Sequence, residues 1–180
     1  MSPISSASQR TLWLGLMTAA STGTSLLLAC ATPYPALAAL AGAQARRTDS
    51  MLLIILAWAA AQLAGFALIG PSRDAGSHGW SIALLMAATG SLLAAQAGAR
   101  IGAPWGRAGR LIAGYVAAYV GFKAVVLLWT LLIGADCAAF APHVLARQFA
   151  RNGLILIGLV IVDRLVARAG IAPAAAPARA

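Results

Sequence analysis

Six apolar runs separated by short polar breaks set the pattern of this chain. They lie at about 12–30, 35–45, 50–69, 80–98, 109–133 and 149–168. Runs of this length and uniformity read as helices rather than strands. The long ones approach the roughly 20 residues a helix needs to cross a hydrocarbon core of about 30 Å. The second run reaches only about 16 Å at 1.5 Å per residue. It is expected either to tilt through a thinned region or to be re-entrant. The expected fold is therefore all-α: a polytopic membrane bundle of six transmembrane helices, with helix 2 short. Residues 1–168 form a single domain, and the Ala/Pro-rich tail at 169–180 is expected to be disordered.

The breaks differ in kind. Cys30-Ala-Thr-Pro-Tyr-Pro35 interrupts the first apolar stretch with two prolines in three residues. Neither can continue a helix, because each lacks an N–H and restricts the residue before it. Broken backbone at membrane depth persists only where protein or a water-filled cavity satisfies it. This segment is thus the outer end of a helical hairpin or part of a binding site. Gly70-Pro71 stops helix 3, and the polar loop to Trp80 carries Arg73, Asp74 and His78. A basic, Gly-rich linker follows helix 4, with Arg100, Pro104, Trp105, Arg107 and Arg110. A last polar loop holds Asp136, Cys137, Pro142, His143 and Arg147.

Composition agrees with the pattern. Of 180 residues, 61% are hydrophobic and only 9% charged, against roughly 25% charged in soluble domains. The net charge of +9 raises the question of nucleic acid. That partner is excluded, because the arginines lie between apolar runs instead of along one amphipathic face. They fit the positive-inside rule. With six helices and a cytoplasmic N-terminus, nine arginines fall inside: 10, 46, 47, 100, 107, 110, 164, 168 and 179. Three fall outside: 73, 147 and 151. If helix 2 does not span, Arg10 changes side and the asymmetry shrinks. Two cysteines without close spacing exclude zinc-finger and iron–sulfur patterns. Cys30 ends a run that also has the look of a lipoprotein signal, though the run is long and rich in Ser and Thr for such a core.

That topology sorts the reactive side chains. Cys30, Asp74, His78, Asp136, Cys137 and His143 all fall at the outer face, roofing a site open to the outside. Lys123 lies within an apolar run, where a charge costs about 2.5–3.5 kcal/mol on insertion scales. Tyr115, Tyr119 and Lys123 follow at four-residue intervals and share a helix face. That face points into the bundle, with Lys123 at the floor of an outer cavity. Gln62 is a second polar group within a membrane helix, suited to an interhelical hydrogen bond or a ligand contact. Trp80 and Trp129 serve as interface anchors or stack on a ligand. His78 offers an imidazole able to ligate a metal. Candidate ligand contacts are therefore Tyr34, Gln62, His78, Trp80, Tyr119, Lys123 and Asp136. No catalytic set is visible, and the chain holds no Walker sequence and no Gly-x-Ser-x-Gly or His-Glu-x-x-His motif. Gly15, Ala19 and Gly23 form a stripe of small residues on helix 1, open to close approach by another helix.

Together these features resemble the substrate-binding S components of energy-coupling-factor vitamin transporters, over residues 12–168 as architecture. The Ala/Leu/Arg-rich composition and the stretch Thr32-Pro-Tyr-Pro-Ala-Leu-Ala-Ala-Leu40 are most similar to the solitary proteobacterial cobalamin type. The resemblance implies a vitamin-binding protein of the bacterial inner membrane, with cobalamin as the ligand taken up from the periplasmic side. It implies binding among helices 1, 3, 5 and 6, and release by a rocking motion of the bundle. It implies an energy-coupling transmembrane subunit with ATPases, docked on Gly15, Ala19 and Gly23, where this chain has glycine in place of the usual alanine. That subgroup can ligate cobalt through a cysteine after helix 3. This chain has none there, and His78 is its nearest equivalent. Cobalamin would be cargo, so no resident cofactor is expected. Two other readings remain open: a structural or assembly protein, and a membrane thiol redox enzyme using Cys30 or Cys137.

Overall fold

The computed structural model describes residues 6–27, 33–44, 47–69 and 75–169. Among these residues the chain is all-α. Six helices run in order: α1 (Ser6–Leu27), α2 (Tyr34–Gln44), α3 (Arg47–Ile69), α4 (Ala75–Ile101), α5 (Gly106–Leu132) and α6 (Pro142–Arg168). Short 3-10 turns at Ala103–Trp105 and Ala138–Phe140 lead into α5 and α6. Three segments, within α3, α4 and the stretch containing α5, are long and apolar enough to cross a membrane. The protein is a helical membrane protein.

The short second helix is the centre of the molecule. Every residue from Tyr34 to Ala41 is buried, and α2 packs against α3, α4, α5 and α6. A helix that is apolar all round belongs in a core. Tyr-Pro-Ala-Leu-Ala-Ala-Leu-Ala supplies small residues on every side, so four neighbours can close on it. Its length of 11 residues is thereby explained without tilt or bilayer thinning, because protein and not lipid surrounds it. Pro35 occupies the first turn, where its missing N–H breaks no hydrogen bond. Pro33 supplies the carbonyl that accepts from Leu37 N–H at 2.9 Å. The prolines that look like a break therefore open a helix.

The tightest packing joins α4 to α5, and glycine and alanine cause it. Gly90, Ala94 and Gly98 on α4, with Gly102 just beyond its end, recur at four-residue intervals, and Gly109, Ala113, Ala117 and Gly121 do so on α5. A Cβ placed on Gly98 would lie 2.4 Å from the carbonyl oxygen of Ala113. One on Gly121 would lie 2.7 Å from Cβ of Ala94. The backbones approach this closely only because those side chains are missing. Ser91 Oγ then donates to the Ala118 carbonyl at 2.9 Å across the same seam.

Polar clips fix which helix ends meet. Trp13 Nε1 donates to Asp163 Oδ1 at 3.1 Å, and Arg10 pairs with the buried Asp49. Ser50 Oγ donates to the Ala41 carbonyl at 3.0 Å. These contacts gather the N-termini of α1 and α3 with the C-termini of α2 and α6. Asp49 faces α1 from the first turn of α3.

Two of the expected loops lose their later residues to the helices that follow. Helix α4 starts at Ala75, so His78 and Trp80 stand on its first turns and not in a loop. Helix α6 starts at Pro142, well before residue 149, and carries His143 and Arg147. Proline at a helix's first position is pre-set for helical φ and lacks only an N–H that would be unpaired anyway. Cys30, Asp74, Arg46, Arg73 and the tail from residue 170 lie outside the described residues.

Candidate functional site

Helix α5 presents one polar face to α6, and the four-residue spacing seen in the sequence creates it. Tyr115 Oη donates to the carbonyl of Phe149. Tyr119 Oη donates to the carbonyl of Leu145 at 2.8 Å. Lys123 Nζ donates to Oε1 of Gln148. The Phe149 ring lies between the two tyrosines, with centroids 4.9 Å from Tyr115 and 5.1 Å from Tyr119. Lys123 also faces the rings of Tyr119 and Phe140, at 6.0 and 5.4 Å from their centroids, within the reach of a cation–π attraction. The lysine is thus held in protein by one neutral oxygen and two rings, with no carboxylate partner among the described residues.

Above this face lies a cavity of about 370 Å³. It sits between the N-terminal halves of α4 and α6, the C-terminal half of α5 and the start of α2. Its apolar walls include Trp80, Leu84, Phe122 and Phe140. Its polar walls include Lys123, Asp136, Arg147, Gln148, Arg151 and Asn152. Arg147, Gln148, Arg151 and Asn152 share one face of α6 because they fall at i, i+1, i+4 and i+5. Mostly apolar walls with a few convergent polar groups are the usual make-up of a small-molecule site, and the volume is near the small end of the ~300–1,000 Å³ range.

Of the ligand contacts expected from sequence, Trp80, Tyr119, Lys123 and Asp136 line this cavity together. Asp136 is fixed by accepting the Ala138 N–H at 3.1 Å. Tyr34 stands behind the wall: it is buried, and its ring lies 6.1 Å from that of Phe122. Its neighbour Pro35 is the residue of that turn that reaches the cavity. Gln62 is elsewhere, accepting from Ser81 Oγ at 3.4 Å between α3 and α4. The nearby Trp58 Nε1 donates to the Ser81 carbonyl at 3.0 Å. His78 is exposed on the first turn of α4 and is not part of the cavity lining. Among the described residues no three His, Cys, Asp or Glu side chains gather as a metal site. Cys137 is an exposed free thiol.

The helix α1 stripe faces away from the bundle. Gly15 and Ala19 are exposed, and a Cβ on Gly15 or Gly23 would meet no atom within 4 Å. Within the bundle, close packing through small residues occurs between α4 and α5.

Residues of the site that sequence reasoning did not assign to a ligand include Phe140, Arg147, Gln148, Arg151 and Asn152. Their signal was weak. The polar spacing at 147, 148, 151 and 152 is helical, but the run was divided between a loop and a helix. No protein-family model, characterised protein or solved structure matches the chain.

Proposed function

We propose that the protein is a membrane-embedded binding subunit for a water-soluble vitamin, of the S-component kind, working in uptake across the bacterial inner membrane. One observation carries this reading. Trp80, Tyr119, Lys123 and Asp136, from two helices and a loop, converge with α6 on one cavity at one end of the bundle. An intramembrane lysine placed on such a wall marks a ligand pathway more readily than a structural role.

In this reading all six helices belong to the membrane domain, with the N-terminus in the cytoplasm. The charge distribution supports it. Among the described residues, Arg10, Arg47, Arg100, Arg107, Arg110, Arg164 and Arg168 lie at the end away from the cavity, and Arg147 and Arg151 lie beside it. The positive-inside rule then turns the cavity toward the periplasm. The outward stripe at Gly15, Ala19 and Gly23 serves as the seat of an energy-coupling transmembrane subunit with its ATPases. The same stripe also favours the second reading, an assembly protein whose main interface is α1.

Cobalamin is the first ligand to test, on the strength of the resemblance to the solitary cobalamin type. His78, the candidate cobalt ligand, lies outside the cavity lining two residues before Trp80, so that role requires the first turn of α4 to move. The cavity volume favours a compact vitamin in the closed form, so a corrinoid requires the cavity to open. The deciding experiment is calorimetry on the purified full chain in neutral-lipid nanodiscs with cobalamin, biotin and thiamine. A visible spectrum of protein from cobalamin-fed cells accompanies it. Saturable binding of one of these, weakened by Trp80→Ala, is the expected result. Failure of all three to bind, with no corrinoid spectrum, sinks the reading.

A further inference from the structure

The cavity carries an imbalance of charge. Lys123, Arg147 and Arg151 line it against a single acid, Asp136. Among the described residues neither arginine has a carboxylate within ion-pair distance, and Lys123 is met only by a neutral amide oxygen and two rings. Arg147 and Arg151 stand one turn apart on α6, so both guanidinium groups reach the same side of the cavity. Arg147 and Arg151 are exposed and Lys123 is half-buried, so the excess of positive charge on the cavity wall acts as an unneutralised field that attracts an anion. Two forked guanidinium groups suit carboxylate and phosphate oxygens in particular. The remaining contacts add shape: Trp80 and Phe140 offer flat apolar surface, and Asn152 brings a second kind of polar group. Asn152 is almost wholly buried; its Nδ2 donates to the Gln148 carbonyl at 3.1 Å, and its Oδ1 has no partner. The orientation of that amide is settled by the contact, since a backbone carbonyl can only accept. That acceptor calls for an N–H or O–H donor, from an occupant or a water, and so adds a neutral contact beside the cationic groups.

We propose that the occupant of this cavity carries an anionic group, carboxylate or phosphate, held by Arg147, Arg151 and Lys123. The proposal rests on the binding-subunit reading and names the substrate class for it. The anion belongs either to a soluble vitamin or to a lipid headgroup, and the test separates the two.

The experiment compares matched pairs by calorimetry, using full-length protein in phosphatidylcholine nanodiscs. The pairs are biotin and biotinamide, nicotinate and nicotinamide, and cobalamin and cobinamide, in each of which only the first member bears an anionic group. The expected result is that one anionic member binds at least about tenfold tighter than its partner, and that Arg147→Gln/Arg151→Gln abolishes the difference. Arg168→Gln, at the opposite end of the bundle, leaves affinity unchanged. A neutral member binding as tightly as its anionic partner overturns the anion proposal while leaving a vitamin-binding protein. A parallel arm replaces part of the phosphatidylcholine with phosphatidylglycerol. If no soluble compound binds but phosphatidylglycerol raises the thermal midpoint of the wild type and not of the double variant, the anion site stands and the vitamin reading falls. Absence of both responses overturns both.

Discussion

Trp13 of the first helix donates its indole N–H to Asp163 of the last helix at 3.1 Å, with both side chains buried. The bond closes the bundle at the end away from the cavity. Beside it, Arg10 holds Asp49 at the start of α3. Helix α1, whose outer face is exposed, is thus tied to the core by two polar clips as well as by Trp13, Leu14 and Met17. Replacing Asp163 by Leu leaves the Trp13 N–H buried and unpaired, at a cost of about 1–3 kcal/mol. Asp163→Asn keeps an acceptor and costs less. Thermal unfolding of both variants in one detergent checks the order. Equal loss in the two would mean that the hydrogen bond is not what holds α1.

The α4–α5 seam makes a contrasting pair of glycine substitutions. At Gly98 an added methyl would sit 2.4 Å from a backbone oxygen, and backbone cannot give way as a flexible side chain does. Gly98→Ala is expected to destabilise by about 1–3 kcal/mol, as overpacking does. Gly15→Ala adds the same methyl where nothing lies within 4 Å, and is expected to leave the unfolding midpoint unchanged or higher. Gly15→Leu and Gly23→Leu likewise preserve the fold but lower co-purification of a coupling subunit, in keeping with the role proposed for α1. Unaltered co-purification would remove that role.

Tyr115 and Tyr119 make equivalent hydrogen bonds to α6, yet only Tyr119 lines the cavity. Each Tyr→Phe change is expected to cost about 0.5–1.5 kcal/mol of stability. Ligand affinity should fall in Tyr119→Phe and hold in Tyr115→Phe. Parallel unfolding and calorimetry read the two effects separately, and a fall in both variants would mean that the cavity senses the whole α5–α6 contact.

Lys123 and Gln148 give the sharpest division between stability and function. An intramembrane ammonium costs about 2.5–3.5 kcal/mol on insertion scales, and its partner here is uncharged. Lys123→Met removes that cost, so the unfolding midpoint should not fall while ligand affinity does. A lowered midpoint with full affinity would make Lys123 a structural residue.

Some of this was legible along the chain. The face formed by Tyr115, Tyr119 and Lys123 follows from helical periodicity, and it does turn inward. The apolar run at 35–45 announced a helix without a polar side, which is a core helix, although its length and flanking prolines pointed toward an interrupted membrane segment. The four-residue rows of glycine and alanine on α4 and α5 were as visible as the stripe on α1. Which row packs inside was not, because a small residue permits close approach without naming its partner.

The sequence by itself determined that this is a helical membrane protein with its arginines concentrated between particular helices, because helix length, apolarity and loop charge are local properties of the chain. Only the tertiary structure decided that α2 is the core, that Asp163 meets Trp13 and that Gln148 meets Lys123. It also decided that Arg147 and Arg151 share a cavity with Trp80 and Asp136. Most of those partners are separated by tens of residues or more, and their meeting depends on which helix faces fit together, a matter of packing that no local pattern encodes.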